Sequence, residues 1–213
     1  MARSRSSARW LSRHVADPYV KRAQAQGYRS RSAYKLLEID RRDRILKAGA
    51  SVVDLGAAPG GWSQVAAQKV GARGKVIAID RLEVAPIPGV TTLRGDFLDE
   101  NTQKALADAL GGRKADVILC DLSPDLTGIA STDQARAAEL VSTALEFCRA
   151  HLDPRGVFLV KVFHGEAFKE LLAQMKATFR EVQTRKPEAS RADSRETYLL
   201  AHGITREGGA SNR

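Results

Sequence analysis

The sequence has 213 residues, 43% of them hydrophobic and 28% charged, with a formal net charge of +9; that composition fits one globular domain and excludes a disordered or fibrous chain. No run approaches the roughly 18 uninterrupted apolar residues of a membrane span, and the first twenty residues hold only Trp10-Leu11 between arginines, so a soluble intracellular protein is expected. Cys120 and Cys148 are too few for a disulfide framework, and with His14, His151, His164 and His202 scattered, structural zinc is not expected.

In chain order, the charge comes first. Residues 1–47 carry 13 Lys/Arg against 4 Asp/Glu, whereas the remainder balances 21 against 21. The whole excess lies in this opening segment. Trp10, Tyr19, Tyr28 and Tyr34 are interleaved with the cations, a mixture suited to neutralising phosphates and stacking on bases, so RNA is the first partner to consider. A solvated basic arm or an Arg/Ser-rich transit peptide would share this composition. Asp17-Pro18 predicts an N-cap followed by proline at the first helical position, with Gly27 closing the short helix. A second helix is predicted from Ser32 to about Lys47, ending before Gly49.

Beyond it, short apolar runs at Ser51–Leu55, Lys75–Ile79, Thr91–Leu93, Asp116–Cys120 and Gly156–Val162 alternate with helical stretches. Ala138, Val141, Leu145, Cys148 and Leu152 recur at helical spacing, as do Phe168, Leu171, Leu172 and Met175. Alternation of this kind predicts an α/β fold: a doubly wound, Rossmann-like parallel sheet with helices on both faces. Two further strands, Glu181–Arg185 and Thr197–His202, have no room for a helix between them, so the last strand should return antiparallel in a seven-stranded sheet. Its start then lies at the edge where parallel strands end and ligands bind.

The first strand ends in Asp54-Leu55-Gly56-Ala57-Ala58-Pro59-Gly60-Gly61-Trp62, and the acid there is grouped with others just after strands. The loop has neither the Gly-Lys-Ser/Thr of a phosphate loop nor the spacing of a dinucleotide site, which favours a nucleoside ligand. Asp80, 26 residues after Asp54, could accept hydrogen bonds from ribose hydroxyls; Asp96 could accept from an adenine amine; Asp54 and Asp121 remain for a cationic tail. Any one of these acids could be a turn former or helix cap, but together they describe a site for S-adenosylmethionine.

The chain resembles the FtsJ-type RNA 2'-O-methyltransferases, through Ser7-Ala8-Arg9-Trp10, Arg29-Ser30-Arg31-Ser32, Asp54 to Gln64, Val160-Lys161-Val162-Phe163, Lys186-Pro187 and Ser194-Arg195-Glu196. It is most similar to bacterial members acting on large-subunit ribosomal RNA. The resemblance implies a catalytic set of Lys35, Asp121, Lys161 and Glu196, and donor contacts at Gly60, Trp62, Asp80, Asp96 and Asp121, beside Asp54, Gly56 and Gly61 of the loop. It further implies methylation of a uridine ribose in 23S RNA on the 50S particle, in the cytoplasm; a monomer is the default. Transfer RNA or an mRNA cap as acceptor, or a non-catalytic assembly factor, are the alternatives.

Topology supports the same set: Asp121 ends the fourth strand, Lys161 lies near the end of the fifth, and Glu196 begins the last. Lys35 could instead pair with Glu38 one turn on. Lys161, inside an apolar strand, needs buried partners, and Asp121 and Glu196 are the ones expected. Lys161 could take the hydroxyl proton or stabilise the developing alkoxide; the first role requires a neutral amine. Asp125 and His164 depart from the family's usual Asn and Gln, Asp125 adding negative charge beside the expected RNA path. The expected organisation is a basic RNA-binding extension over 1–47, a catalytic domain over 48–205 and a flexible tail over 206–213.

Overall fold

The computed structural model describes residues 17–165, 167–191 and 194–205; the Ser7–Trp10 motif and the tail expected over 206–213 lie outside them. The described chain begins with α1 (Pro18–Ala25) and α2 (Ala33–Asp43), followed by β1 (Ser51–Leu55), α3 (Gly61–Val70), β2 (Lys75–Asp80) and β3 (Val90–Arg94). Then come α4 (Glu100–Leu110), β4 (Ala115–Cys120), α5 (Ala130–His151), β5 (Leu152–Phe163), α6 (Phe168–Thr178), β6 (Phe179–Arg185) and β7 (Glu196–Ile204). The sheet runs β3-β2-β1-β4-β5-β7-β6, with β7 antiparallel to both neighbours and every other pairing parallel. The expected seven-stranded, mostly parallel fold is therefore present.

Alternation along the strands builds two separate cores. Val53, Leu55, Ile118, Cys120, Phe158, Val160 and Leu199 point to the face covered by α4, α5 and α6. Val52, Val117, Leu119, Leu159, Tyr198 and Leu200 point to the opposite face, where α2 and α3 pack through Ala33, Leu36, Trp62 and Val65. This parity decides which strand-end side chains can meet the basic helices.

Two expectations about the opening segment are corrected. Helix α2 stops at Asp43, not near Lys47, because Arg44 takes a left-handed conformation at φ 51° and its N–H closes on the Asp40 carbonyl. The chain then turns Ile45 and Leu46 into the core, with the Leu46 N–H donating to Asp40 Oδ1 at 2.8 Å. Nor do the tyrosines form an open stacking surface. Tyr34 is 4% exposed and packs against Tyr19 and Tyr28 at ring-centroid distances of 5.5 and 5.8 Å, so they make a small core of their own. Ala23 and Ala189 complete that core. Arg31 adds a charge-assisted tie by donating to the Asp17 carboxylate and the Ala189 carbonyl, and Glu38 accepts from Ala189 N–H. The helical arm is thus fastened to the segment between β6 and β7.

Candidate active site

Asp121 follows Leu119 by two residues, Lys161 follows Leu159 by two, and Glu196 precedes Tyr198 by two; all three therefore face the side carrying α2. Register finishes the arrangement, since Lys161 lies directly opposite Tyr198 across the β5–β7 pair. Lys161 Nζ is 2.8 Å from the Asp121 carbonyl, 2.5 Å from Ser123 Oγ and 3.2 Å from Asp121 Oδ1. Three acceptors around one nitrogen use all three donors of an ammonium. Lys35, from α2, places Nζ 2.5 Å from Glu196 Oε1. The four expected catalytic residues are brought together, and the simple pairing of Lys35 with Glu38 is not formed: Glu38 holds Tyr19 and Ala189 instead.

Tyr198 links the two pairs, a role the sequence reading missed. Its hydroxyl donates to Asp121 Oδ1 at 3.0 Å, while Lys35 Nζ lies 5.8 Å from its ring centroid. The signal was available: Tyr198 shares Glu196's face by alternation. Ser123 was also missed, because a residue three beyond β4 carries no periodic mark. Burial, then the Asp121 and Glu196 charges, raise the Tyr198 phenol well above its ordinary value, so it stays a donor at all working pH. Burial alone would raise the Glu196 carboxyl, but the Lys35 charge and hydrogen bond, with help from Lys161, outweigh it and hold the group below its usual value. Glu196 is accordingly ionised near neutrality.

Beside this cluster lies a cavity of about 700 Å³, lined by Gly56, Asp80, Asp96 and Asp121 among others. Backbone amides orient its acids. Asp80 Oδ2 accepts from Ala58 N–H at 2.9 Å and Oδ1 from Leu82 N–H at 2.8 Å; Asp96 Oδ1 accepts from Leu98 N–H at 3.0 Å. Each carboxylate keeps further lone pairs for a ligand. Gly56 is required, since at φ 82° a Cβ there would come within 2.9 Å of the Leu122 backbone. Across the mouth, Arg81 Nη2 donates to Asp125 Oδ2 at 2.6 Å. The charge that Asp125 brings is therefore offset locally. His164 N–H donates to the Arg195 carbonyl and the ring lies 4.7 Å from Phe168, consistent with a loop position.

Four expected donor residues do not line the cavity. Asp54 lies within β1 instead of after it and shares Val52's face, so it is fully buried beneath α3, with Ser63 Oγ donating to Oδ2 at 2.6 Å. Burial, reinforced by the Asp121 and Asp80 charges and opposed by the Ser63 hydrogen bond, pushes its carboxyl up to about 7. Gly60, Gly61 and Trp62 face the arm. A Cβ on Gly60 would meet Ile87 Cδ1 at 2.7 Å and Arg29 Nη1 at 3.0 Å, one on Gly61 would meet Ser30 Oγ at 2.4 Å, and Trp62 Nε1 donates to the Ser32 carbonyl at 2.8 Å. Arg29 itself donates to the Pro59, Ala85 and Pro86 carbonyls, so that cation is engaged in docking the arm. The glycine loop thus shapes the cavity at its start and grips the basic helices at its end.

The description "FtsJ-like methyltransferase" belongs to the family model that matches residues 28–204. The chain belongs to the FtsJ-like methyltransferase family. Curated relatives agree: it is 52% identical over 200 residues to "Ribosomal RNA large subunit methyltransferase E" of Methylobacillus flagellatus, covering 94% of this chain and 97% of that one. The protein of the same description from Pseudomonas aeruginosa is 49% identical over 207 residues, covering 97% of this chain and 100% of the relative. Among solved structures, a ribosomal RNA methyltransferase from Plasmodium falciparum superposes with a TM-score of 0.75 at 30% identity, over 83% of this chain and 98% of that one. Aeropyrum pernix fibrillarin, solved with S-adenosyl-L-methionine, shares the fold with a TM-score of 0.56 at 17% identity, over 82% and 75% of the two chains.

This FtsJ-like methyltransferase takes its methyl group from S-adenosylmethionine, and the cavity fits that donor. Its volume lies within the 300–1,000 Å³ typical of small-molecule sites, and a lining with five carboxylates (Asp80, Asp96, Asp121, Asp125 and Glu139) against two arginines (Arg81 and Arg136) suits a cationic nucleoside bearing hydroxyls and amines.

Proposed function

We propose that this enzyme methylates the ribose 2'-hydroxyl of a uridine in large-subunit ribosomal RNA, with Lys35, Asp121, Lys161 and Glu196 as its catalytic set. The juxtaposition of the Lys161–Asp121 and Lys35–Glu196 pairs with an acid-lined nucleoside cavity carries this reading. The relatives' descriptions, which name large-subunit ribosomal RNA, support the acceptor class. So does the basic opening segment, with its 13 Lys/Arg against 4 Asp/Glu.

The donor supplies an electrophilic methyl group on sulfur. Asp80 suits the ribose hydroxyls and Asp96 an exocyclic amine, each pre-oriented by a backbone amide. Asp121 faces the cavity and also bonds Lys161 and Tyr198, so it couples donor and acceptor sides. Gly60, Gly61 and Trp62 contribute by positioning the arm and the start of α3 against the site. Ser123 Oγ, 2.5 Å from Lys161 Nζ, stands in for the acceptor hydroxyl: an incoming 2'-OH would replace it, its oxygen taking the methyl group as the sulfur–carbon bond breaks and its proton leaving to solvent, with the ammonium stabilising the negative charge that develops on the oxygen. For Lys161 to accept the proton instead, its ammonium must first lose one. Lys35 and Glu196, mostly buried together as a neutral ion pair, flank the Lys161–Asp121 pair from the α2 side.

The proposed organisation places RNA contacts on 1–47 and chemistry on 48–205, in a cytoplasmic monomer acting on the 50S subunit. No helix among the described residues is long and apolar enough to cross a membrane. The test is transfer of labelled methyl groups to large subunits and to free ribosomal RNA from cells lacking the endogenous activity, followed by mapping of the modified ribose. Label on one uridine of the subunits is the expected result. Label on free RNA alone would move the acceptor away from the assembled particle, and label on transfer RNA would replace it.

A further inference from the structure

The exposed large hydrophobic residues among those described are Leu82, Leu98, Leu126 and Ile129, at 68%, 39%, 78% and 61% exposure. Single exposed leucines are ordinary. These four are not scattered, because all follow β2, β3 or β4 at the edge of the sheet where the site lies. Leu82 and Leu98 line the donor cavity; Leu126 and Ile129 do not, and remain without an assigned partner.

The loop that carries this second pair is tightly framed. Asp133 accepts from Thr127 N–H and Thr127 Oγ1, both at 2.7 Å, and from Gly128 N–H at 3.2 Å; Thr127 Oγ1 in turn accepts from Ile129 N–H. Arg136 Nη1 donates to the Asp125 carbonyl and Arg81 to its carboxylate. The frame spends polar bonds to hold two apolar side chains in water, which marks a surface built for contact. The loop's other end is Ser123, the hydroxyl bound to Lys161. Leu126 lies three steps along the chain from Ser123, a span of at most about 11 Å. A group beside Leu126 is therefore within a nucleotide's reach of the reacting sugar.

We infer that Leu126 and Ile129 hold the acceptor nucleotide, packing on its base or on the base next to it, so that loop 122–129 positions the ribose for Lys161. Apolar side chains inserted beside bases are an established way for proteins to expose a nucleotide in structured nucleic acid. Asp125, the only acid of the loop, immediately precedes Leu126, and its pairing with Arg81 offsets the repulsion it would exert on phosphate. The inference rests on the reading that RNA is the acceptor and adds which residues grip it.

The test compares wild type with the double variant Leu126→Ala/Ile129→Ala, measuring KM for large subunits, kcat, and donor Kd by calorimetry. Both side chains are exposed, so folding is retained. The KM for the subunit rises by roughly tenfold or more, the loss expected when a side chain of this size is no longer buried on binding, with donor Kd within twofold. Leu126→Met, which keeps the apolar volume, retains the wild-type KM. An unchanged KM overturns the inference. So does a weakened donor Kd, alone or together with KM, which would make the loop a lid over the cavity. If wild type itself methylates no RNA, the proposed function fails first and takes this assignment with it.

Discussion

The two halves of the site handle charge in opposite ways. On the β1–β3 side, Asp80 and Asp96 are held by backbone amides and look into an open cavity, and Arg81, 3.8 Å from Asp96 Oδ2, is itself half exposed. On the β4–β5–β7 side, Lys161, Asp121, Lys35 and Glu196 are mostly buried and satisfied by one another through Tyr198. Backbone-held acids give a binding surface that survives the loss of one member. A mutually satisfied cluster gives reactivity, and removing one member leaves its partner buried and unpaired.

The largest effect expected from this contrast is on the buried side. Lys161→Ala lowers the single-turnover methyl-transfer rate by roughly 10³-fold, the range for loss of a group that stabilises developing charge, while calorimetry finds donor Kd changed by less than about threefold. A variant with wild-type rate would remove Lys161 from the chemistry. On the open side the pattern reverses. Asp80→Asn weakens donor binding by roughly 10- to 100-fold through loss of charge-assisted hydrogen bonds, and kcat at saturating donor stays within about threefold.

Asp54 sharpens the comparison because it belongs to neither half. Its folded-state carboxyl is pushed up to about 7, above the unfolded value near 3.9, so the folded protein binds the extra proton and stability falls as pH rises from about 4 to 7. Asp54→Asn cannot ionise. Relative to wild type it gains stability across that window, by about 2–4 kcal/mol at pH 8 compared with pH 4, measurable by urea unfolding. A constant difference between the two proteins across pH would mean that Asp54 ionises freely. The smallest effect is at the rim: Arg81→Ala changes donor Kd by no more than about threefold, and the change disappears in 0.5 M salt, because the Arg81–Asp125 pair is solvent-exposed.

Much of this was legible in residue order. Runs of Val, Ile and Leu predict the strands, and an acid at or just past a strand end predicts the cavity lining for Asp80, Asp96 and Asp121. Asp54 departs from that rule for a physical reason: alternation from Val52 turns it under α3, away from the edge where Asp80 and Asp96 lie. Arg44 was illegible, since a left-handed helix end is normally flagged by glycine, and here tertiary burial of Ile45 and Leu46 overrides that preference. The tyrosines were read as a binding surface because composition cannot say whether an aromatic ring meets RNA or another ring. Tyr198 needed the β5–β7 register, a long-range fact.

Strand β7 is the last of the strands among the described residues yet sits inside the sheet, between β5 and β6. It delivers Glu196 to a lysine 161 residues earlier and places Tyr198 across from Lys161. During synthesis, then, the donor pocket can form from strands already made, whereas the reactive centre closes only when the final ribbon slides into its slot. The fold withholds chemistry from an unfinished polypeptide.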